Sequence, residues 1–148
     1  MNIEKKLSEM ETFFLALADK TRLRLLNLMR EGEICVCFLV EVLKESQPKI
    51  SRHLAYLRGA GIVEARRDGK WMHYKITEPE DVFAAQVLRE TLVWLNSQEK
   101  MQGEYERLAE ICCSSNNTIT ITHAPKPNTF AKSNVTNKQN RELETFLL

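Results

Sequence analysis

The sequence predicts a mainly α-helical domain carrying one small β-hairpin. Three observations predict it: apolar residues at helical spacing through most of residues 1–111, a switch to alternation in residues 62–76, and an Asp68-Gly69 turn signal inside that window. At 148 residues, 43% hydrophobic and 28% charged, the chain suits one domain with its own core. No apolar run approaches the ~20 residues of a membrane span. The acidic, amphipathic N-terminus also lacks the apolar core of a signal peptide, so no membrane partner and a cytoplasmic location are expected.

Ile3, Leu7, Met10, Phe13, Phe14 and Leu17 keep helical spacing and give a first helix whose apolar face is rich for a chain end, as a subunit interface would require. Asp19 is suited to cap a second helix, Thr21 to Arg30. Its Leu23, Leu25, Leu26, Leu28 and Met29 point nearly all round, which makes it central. Gly32 ends it. A third helix is expected from about Cys35 to Lys44, with Leu39, Val42 and Leu43 facing inwards, before a Glu45-Ser46 turn.

The fourth helix follows that turn. Pro48 is tolerated in its first turn, and Ile50, Leu54 and Leu57 form one apolar stripe. The opposite face carries Pro48, Arg52, Ala55 and Gly59, flanked by Lys49 and Tyr56 on one side and Gln47 and Ser51 on the other. Small residues with an amide, a hydroxyl and a guanidinium near a helix N-terminus suit contact with base edges in a DNA major groove. Ile62 to Arg66 and Trp71 to Ile76 should then pair as strands, with Arg66, Arg67 and Lys70 at the hairpin tip. From Ser46 to Ile76, seven Lys and Arg against Glu64 and Asp68 leave a net +5, while the whole chain carries only +1. The charge is concentrated where a winged helix-turn-helix meets nucleic acid. The expected DNA-contacting set is Gln47, Lys49, Ser51, Arg52, His53, Tyr56, Arg66, Arg67 and Lys70.

Glu78-Pro79-Glu80-Asp81 makes an acidic start for one long last helix, and its apolar stripe from Phe83 continues to about Ile111. Such a stripe would leave apolar surface exposed on a monomer, so the first and last helices are expected to form a two-fold dimer. From Ser114 the composition turns polar. Residues 1–113 are therefore expected to form the DNA-binding and dimerisation domain and 114–148 a flexible tail, with the terminal RELETFLL too short to be a stable helix alone.

Four cysteines in two close pairs, Cys35/Cys37 and Cys112/Cys113, look like reduced thiols for binding or redox chemistry rather than a disulfide scaffold. Glu33-Ile34-Cys35-Val36-Cys37, followed by SQPKISRHL and GKWMHYKI, closely resembles the arsenic-responsive branch of the ArsR family of winged-helix repressors, whose signature is an ELCVCDLC-like segment. The resemblance covers about Phe13 to Ile111, with three motifs agreeing in order and spacing. It implies a homodimer that binds operator DNA and represses a metalloid-resistance operon. As(III) or Sb(III) would be the inducer that releases it, with no permanent cofactor.

One departure is Val40, where the family segment often carries a third cysteine. Thiolates suit soft ions. Cys35 and Cys37 are the expected ligands, alone with a solvent ligand or joined by Cys112 or Cys113 from either subunit, unless that second pair forms its own site. On an intact helix, residues two apart lie about 200° apart around the axis. Capture of one ion by both cysteines is therefore expected to distort the first turn of the third helix and displace the helix bearing Gln47, Ser51 and Arg52.

A cadmium or lead sensor using the same thiolates, and a thiol redox or persulfide sensor, are the alternatives. The last helix lacks the histidine that a zinc or cobalt site of this fold would use there. An enzyme is not expected, because the chain has no C-x-x-C, no phosphate-cradling glycine loop and no nucleophile elbow. His53 reads as a structural or phosphate-contacting residue rather than a base.

Overall fold

The computed structural model describes residues 2–113 and 123–129. Among them the order is α1 (Ile3–Leu17), α2 (Lys20–Leu28), β1 (Ile34–Cys35), α3 (Val36–Leu43), α4 (Gln47–Gly59), β2 (Val63–Asp68), β3 (Trp71–Ile76), α5 (Val82–Ser97) and α6 (Glu99–Cys113). This is the expected mainly helical fold with a hairpin wing, to which β1 adds a third antiparallel strand in the order β1-β3-β2.

Side chains close the helix starts as their chemistry dictates. Asp19 accepts the Arg22 amide at 3.0 Å, Ser46 accepts the Lys49 amide at 3.4 Å, and Asp81 accepts the Phe83 and Ala84 amides at 2.9 Å each. The start of α5 is thus set by Asp81, not by Pro79. The core lies between α2, α3, α4 and α6, where Leu25, Leu26, Phe38, Leu39, Ile50, Leu54, Leu57 and Leu108 are fully buried. Ile50, Leu54 and Leu57 all point inwards, so α4 turns its polar face to solvent.

Three expectations need correction. The third helix does not begin at Cys35: this residue ends β1 and caps α3 in an extended conformation, φ −67° and ψ 138°. In the wing, Asp68 is a strand residue paired with Trp71, which leaves Gly69 and Lys70 as the loop. Gly69 takes φ +58°, which a two-residue hairpin loop demands and glycine supplies without strain.

The largest correction concerns the last helix, which is two helices. Gln98 is extended at φ −88° and ψ 126°, and its amide bonds back to the Leu95 carbonyl at 3.1 Å. Gln102 Nε2 also donates to the Asn96 carbonyl at 2.8 Å, tying the first turn of α6 to the end of α5. α6 then folds back onto α2 and α3. Arg24 Nε meets Glu104 Oε1 at 2.8 Å, Asn27 Nδ2 donates to the Met101 carbonyl at 2.8 Å, and the Arg30 guanidinium lies 3.9 Å from the centre of the Tyr105 ring. The exposed apolar face therefore belongs to α5, through Val82, Phe83, Val93 and Trp94, and to α1, through Ile3, Leu7, Phe14 and Leu15. No helix among the described residues is long and apolar enough to cross a membrane.

Residues 123–129 return to the body of the fold. Ala124 is buried against the core, and Thr129 Oγ1 donates to the Glu31 carbonyl at 3.1 Å. A Cβ on Gly32 would meet that same Thr129 oxygen at 3.1 Å, so the approach is close. The rest of the expected tail, including RELETFLL, lies outside the described residues.

Candidate nucleic-acid interface and thiol site

α3, the turn at Lys44 to Ser46 and α4 form a helix-turn-helix, with Lys44 in a left-handed conformation at φ 53°. On the outer face of α4, Gln47, Arg52 and Tyr56 are exposed, and Lys49 and Ser51 are half-buried. Lys49 Nζ lies 3.1 Å from Glu45 Oε1, and Arg52 Nε is 3.3 Å from the Pro48 carbonyl. These are light tethers on side chains that can still reach a ligand.

His53 is differently placed. Its Nδ1 is 3.2 Å from Arg22 Nη1 and 3.8 Å from Asp19 Oδ1. Arg22 also donates to the Ala16 and Leu15 carbonyls at 2.8 and 2.9 Å, and its guanidinium stacks 4.2 Å from the centre of the Tyr56 ring. One arginine, to which the sequence reading assigned no role, thus ties the end of α1 to α4 through His53 and Tyr56. Burial acts to raise the Asp19 pKa, but the Arg22 amide and charge outweigh it and hold the carboxyl below 3.8.

At the wing, Arg67 Nε donates to the Gly69 carbonyl at 3.1 Å, and Lys70 Nζ sits 5.0 Å from the centre of the Trp71 ring. Both remain at the exposed tip. Arg66 is engaged: its Nη2 meets Glu33 Oε1 at 2.6 Å and its Nε lies 3.2 Å from each Glu33 oxygen. This hydrogen bonding holds the Glu33 carboxyl below its ordinary value of 4.5.

Glu33 stands two residues before Cys35. Cys35 is buried and Cys37 half-buried, both are free thiols, and their sulfurs are 3.2 Å apart. The expectation that the pair can converge only by distorting α3 is overturned, because Cys35 lies outside the helix. The Cys37 thiol donates to Cys35 sulfur and, with the backbone N–H groups of Cys37 and Val36, lowers the Cys35 pKa to about 7 against the opposing effect of burial. The same contact pushes the Cys37 thiol up. A sulfur at a helix N-terminus, fed by N–H groups, is ionised more readily than an ordinary thiol.

Cys112 is buried on α6, and burial pushes its pKa up to about 12, while Cys113 is exposed. Among the described residues no group of three or more His, Cys, Asp and Glu side chains is placed to hold a metal ion. The donor chemistry of Cys35 and Cys37 fits a soft, thiophilic ion held by two sulfurs. On β3, His73 lies opposite Cys35 and, on its other side, opposite Arg66, so the three stand in one cross-strand row.

A family model described as bacterial regulatory protein, arsR family, matches residues 19–65. The chain is 46% identical over 102 residues to the arsenical resistance operon repressor of Escherichia coli K12, an alignment covering 68% of this chain and 86% of that protein. Its fold is similar to the AntR antimony-specific transcriptional repressor, with a TM-score of 0.50 at 32% identity over 64% of this chain and 83% of the other. It is also similar to the homodimeric winged helix-turn-helix DNA-binding domain of Mb0332 from Mycobacterium bovis, with a TM-score of 0.53 at 26% identity over 65% and 90% of the two chains. On this relatedness, carried by the helix-turn-helix and the wing together, the chain belongs to the ArsR family of bacterial regulatory proteins.

Proposed function

We propose that the protein is a metalloid-responsive transcriptional repressor that binds operator DNA as a homodimer and is released when As(III) or Sb(III) binds Cys35 and Cys37. The observation that carries the reading is the pair of free sulfurs 3.2 Å apart, one with its pKa lowered to about 7, at the start of the helix-turn-helix. Similarity to an arsenical resistance operon repressor and to an antimony-specific repressor supports the choice of inducer. The bound ion would supply a soft Lewis acid that replaces the proton shared by the two thiols.

Gln47, Lys49, Ser51, Arg52 and Tyr56 on α4 are the DNA-facing set, with Arg67 and Lys70 on the wing. His53 and Arg66 serve this surface from behind, through Arg22 and Glu33. The exposed apolar faces of α1 and α5 form the dimer interface within residues 1–113. Cys112 and Cys113 are left as a third-ligand source or a separate site, and burial of the Cys112 thiol disfavours its ionised form in either role.

The test is fluorescence anisotropy of labelled DNA from upstream of the gene, titrated with arsenite under reducing conditions. Release in the wild type that is lost in the Cys35→Ser/Cys37→Ser double variant supports the proposal, and tight DNA binding that ignores arsenite ends it. A second reading, thiol redox sensing, is favoured by the contact between a readily ionised sulfur and its neighbour. It predicts release by oxidant together with a mass loss of two hydrogens in the peptide containing Cys35 and Cys37.

A further inference from the structure

The element that attracts notice outside the DNA face and the thiols is Glu33. Its carboxylate takes three nitrogen–oxygen contacts from Arg66 of β2, and its Oε1 lies 3.8 Å from His73 Nδ1 of β3. His73 is 4% exposed, and its Nε2 has no hydrogen-bond partner. An imidazole is kept in such a place by what it packs against: Cys35 on one flank and Arg66 on the other, side chains of directly opposed residues sharing one face of the sheet. Glu33 closes this row from the chain segment that leads into Cys35.

We propose that Glu33 is the positioning residue that joins the thiol-bearing strand to the wing, so that a ligand on Cys35 and Cys37 shifts the wing as well as α3. This inference rests on the proposed function for the identity of the ligand. Two independent ties link the same elements: the backbone ladder Ile34↔Tyr74 and Cys35↔His73, and the Glu33–Arg66 fork, which reaches past β3 to β2. The ladder alone has two residue pairs and can fray. The fork makes β1 and both wing strands move as one body. A guanidinium held bidentately has a fixed orientation, which a single ammonium contact would not give. Arg66 is therefore engaged by Glu33 although its side chain stays 55% exposed, and the wing meets DNA through Arg67 and Lys70.

The experiment compares the full-length wild type with Glu33→Gln and Arg66→Lys. For each, the DNA dissociation constant is measured with and without saturating arsenite, and the ratio of the two constants is the readout. A ratio cancels any uniform loss of DNA affinity or of stability, so a merely structural role leaves it unchanged. The expected result is a ratio at least tenfold smaller in Glu33→Gln and intermediate in Arg66→Lys. Arsenite binding to free Glu33→Gln, followed by thiolate–arsenic absorbance, stays within threefold of wild type.

A wild-type ratio in Glu33→Gln overturns the inference. If arsenite leaves the wild-type ratio at one, the inducer assignment fails instead, and the tie is judged by hydrogen exchange of the Met72 to Lys75 amides. Exchange several-fold faster in Glu33→Gln upholds the joining of strand and wing, and unchanged exchange overturns it.

Discussion

Arg24→Ala gives the sharpest test of the way α6 folds back. Arg24 and Glu104 lie 80 residues apart in sequence and meet at 2.8 Å, with side-chain exposures of 28% and 7%. The pair is asymmetric. Removing the arginine leaves a buried carboxylate whose second oxygen, Oε2, already lacks a partner. Breaking a buried pair from that side costs about 3 kcal/mol or more. Removing Glu104 instead leaves a guanidinium with enough exposure to rehydrate, and Glu104→Ala should cost only about 1 kcal/mol.

The double variant should then be more stable than Arg24→Ala alone, because the stranded charge is gone. Urea denaturation at one fixed protein concentration, followed by circular dichroism, measures all four proteins, so that any self-association contributes equally to each. At roughly 2–4 °C per kcal/mol for a chain of about 150 residues, Arg24→Ala should also melt about 6–12 °C early. If one straight helix ran from Val82 to Cys113, Arg24 would be an ordinary surface residue and its loss would stay within about 0.5 kcal/mol. That result would refute the folded-back α6.

Further expectations concern the site. One thiolate should form with a midpoint near pH 7, read by ultraviolet absorbance; Cys35→Ser should abolish the step and Cys37→Ala should move it upward, since the Cys37 donor is the main cause of the lowered value. Because Arg66 depresses the Glu33 pKa, the carboxylate contributes stability above its ordinary 4.5 that is lost as pH falls through the lowered folded value. Urea midpoints of wild type and Glu33→Gln should accordingly differ at pH 7 and converge in acid. Lys49→Ala should weaken DNA binding evenly across sequences and reduce the slope of log affinity against log salt by about one. Val40→Cys adds a sulfur one turn after Cys37 on the same helix face, and arsenite should bind at least about tenfold more tightly in an equilibrium titration.

Much of the fold could be read from local chemistry. Asp19 and the stripe of Ile50, Leu54 and Leu57 announced α2 and α4, and alternation from Trp71 to Ile76 announced β3. The break at Gln98 was missed because neither Gly nor Pro marks it. A signal was present all the same: Leu88, Leu92 and Leu95 keep helical steps, but the next apolar position is Met101, and 98, 99 and 102 hold Gln, Glu and Gln. A step of six is out of phase with a 3.6-residue repeat. The stripe therefore changes sides there, and a helix that must bury both halves has to bend. The partners that receive α6, Arg24 and Asn27, could not be identified from sequence, since their burial depends on contacts formed from across the chain.

The thiol pair shows the same limit at higher resolution. The 200° offset of residues two apart holds only when both are helical, and C-x-C by itself does not say where the helix begins. Cys35 is extended because it is a rung of the sheet opposite His73, and no two-residue strand announces itself by periodicity. Once Cys35 leaves the helix, the sulfurs meet without unwinding anything, so capture of an ion need not deform the first turn of α3. What a ligand can change is the pair of elements that Cys35 joins. It caps α3, which leads through Lys44 to α4, and it pairs with β3, which leads to the wing tip. Both DNA-facing elements are thus one element away from the same sulfur, α4 through α3 and the wing tip through β3.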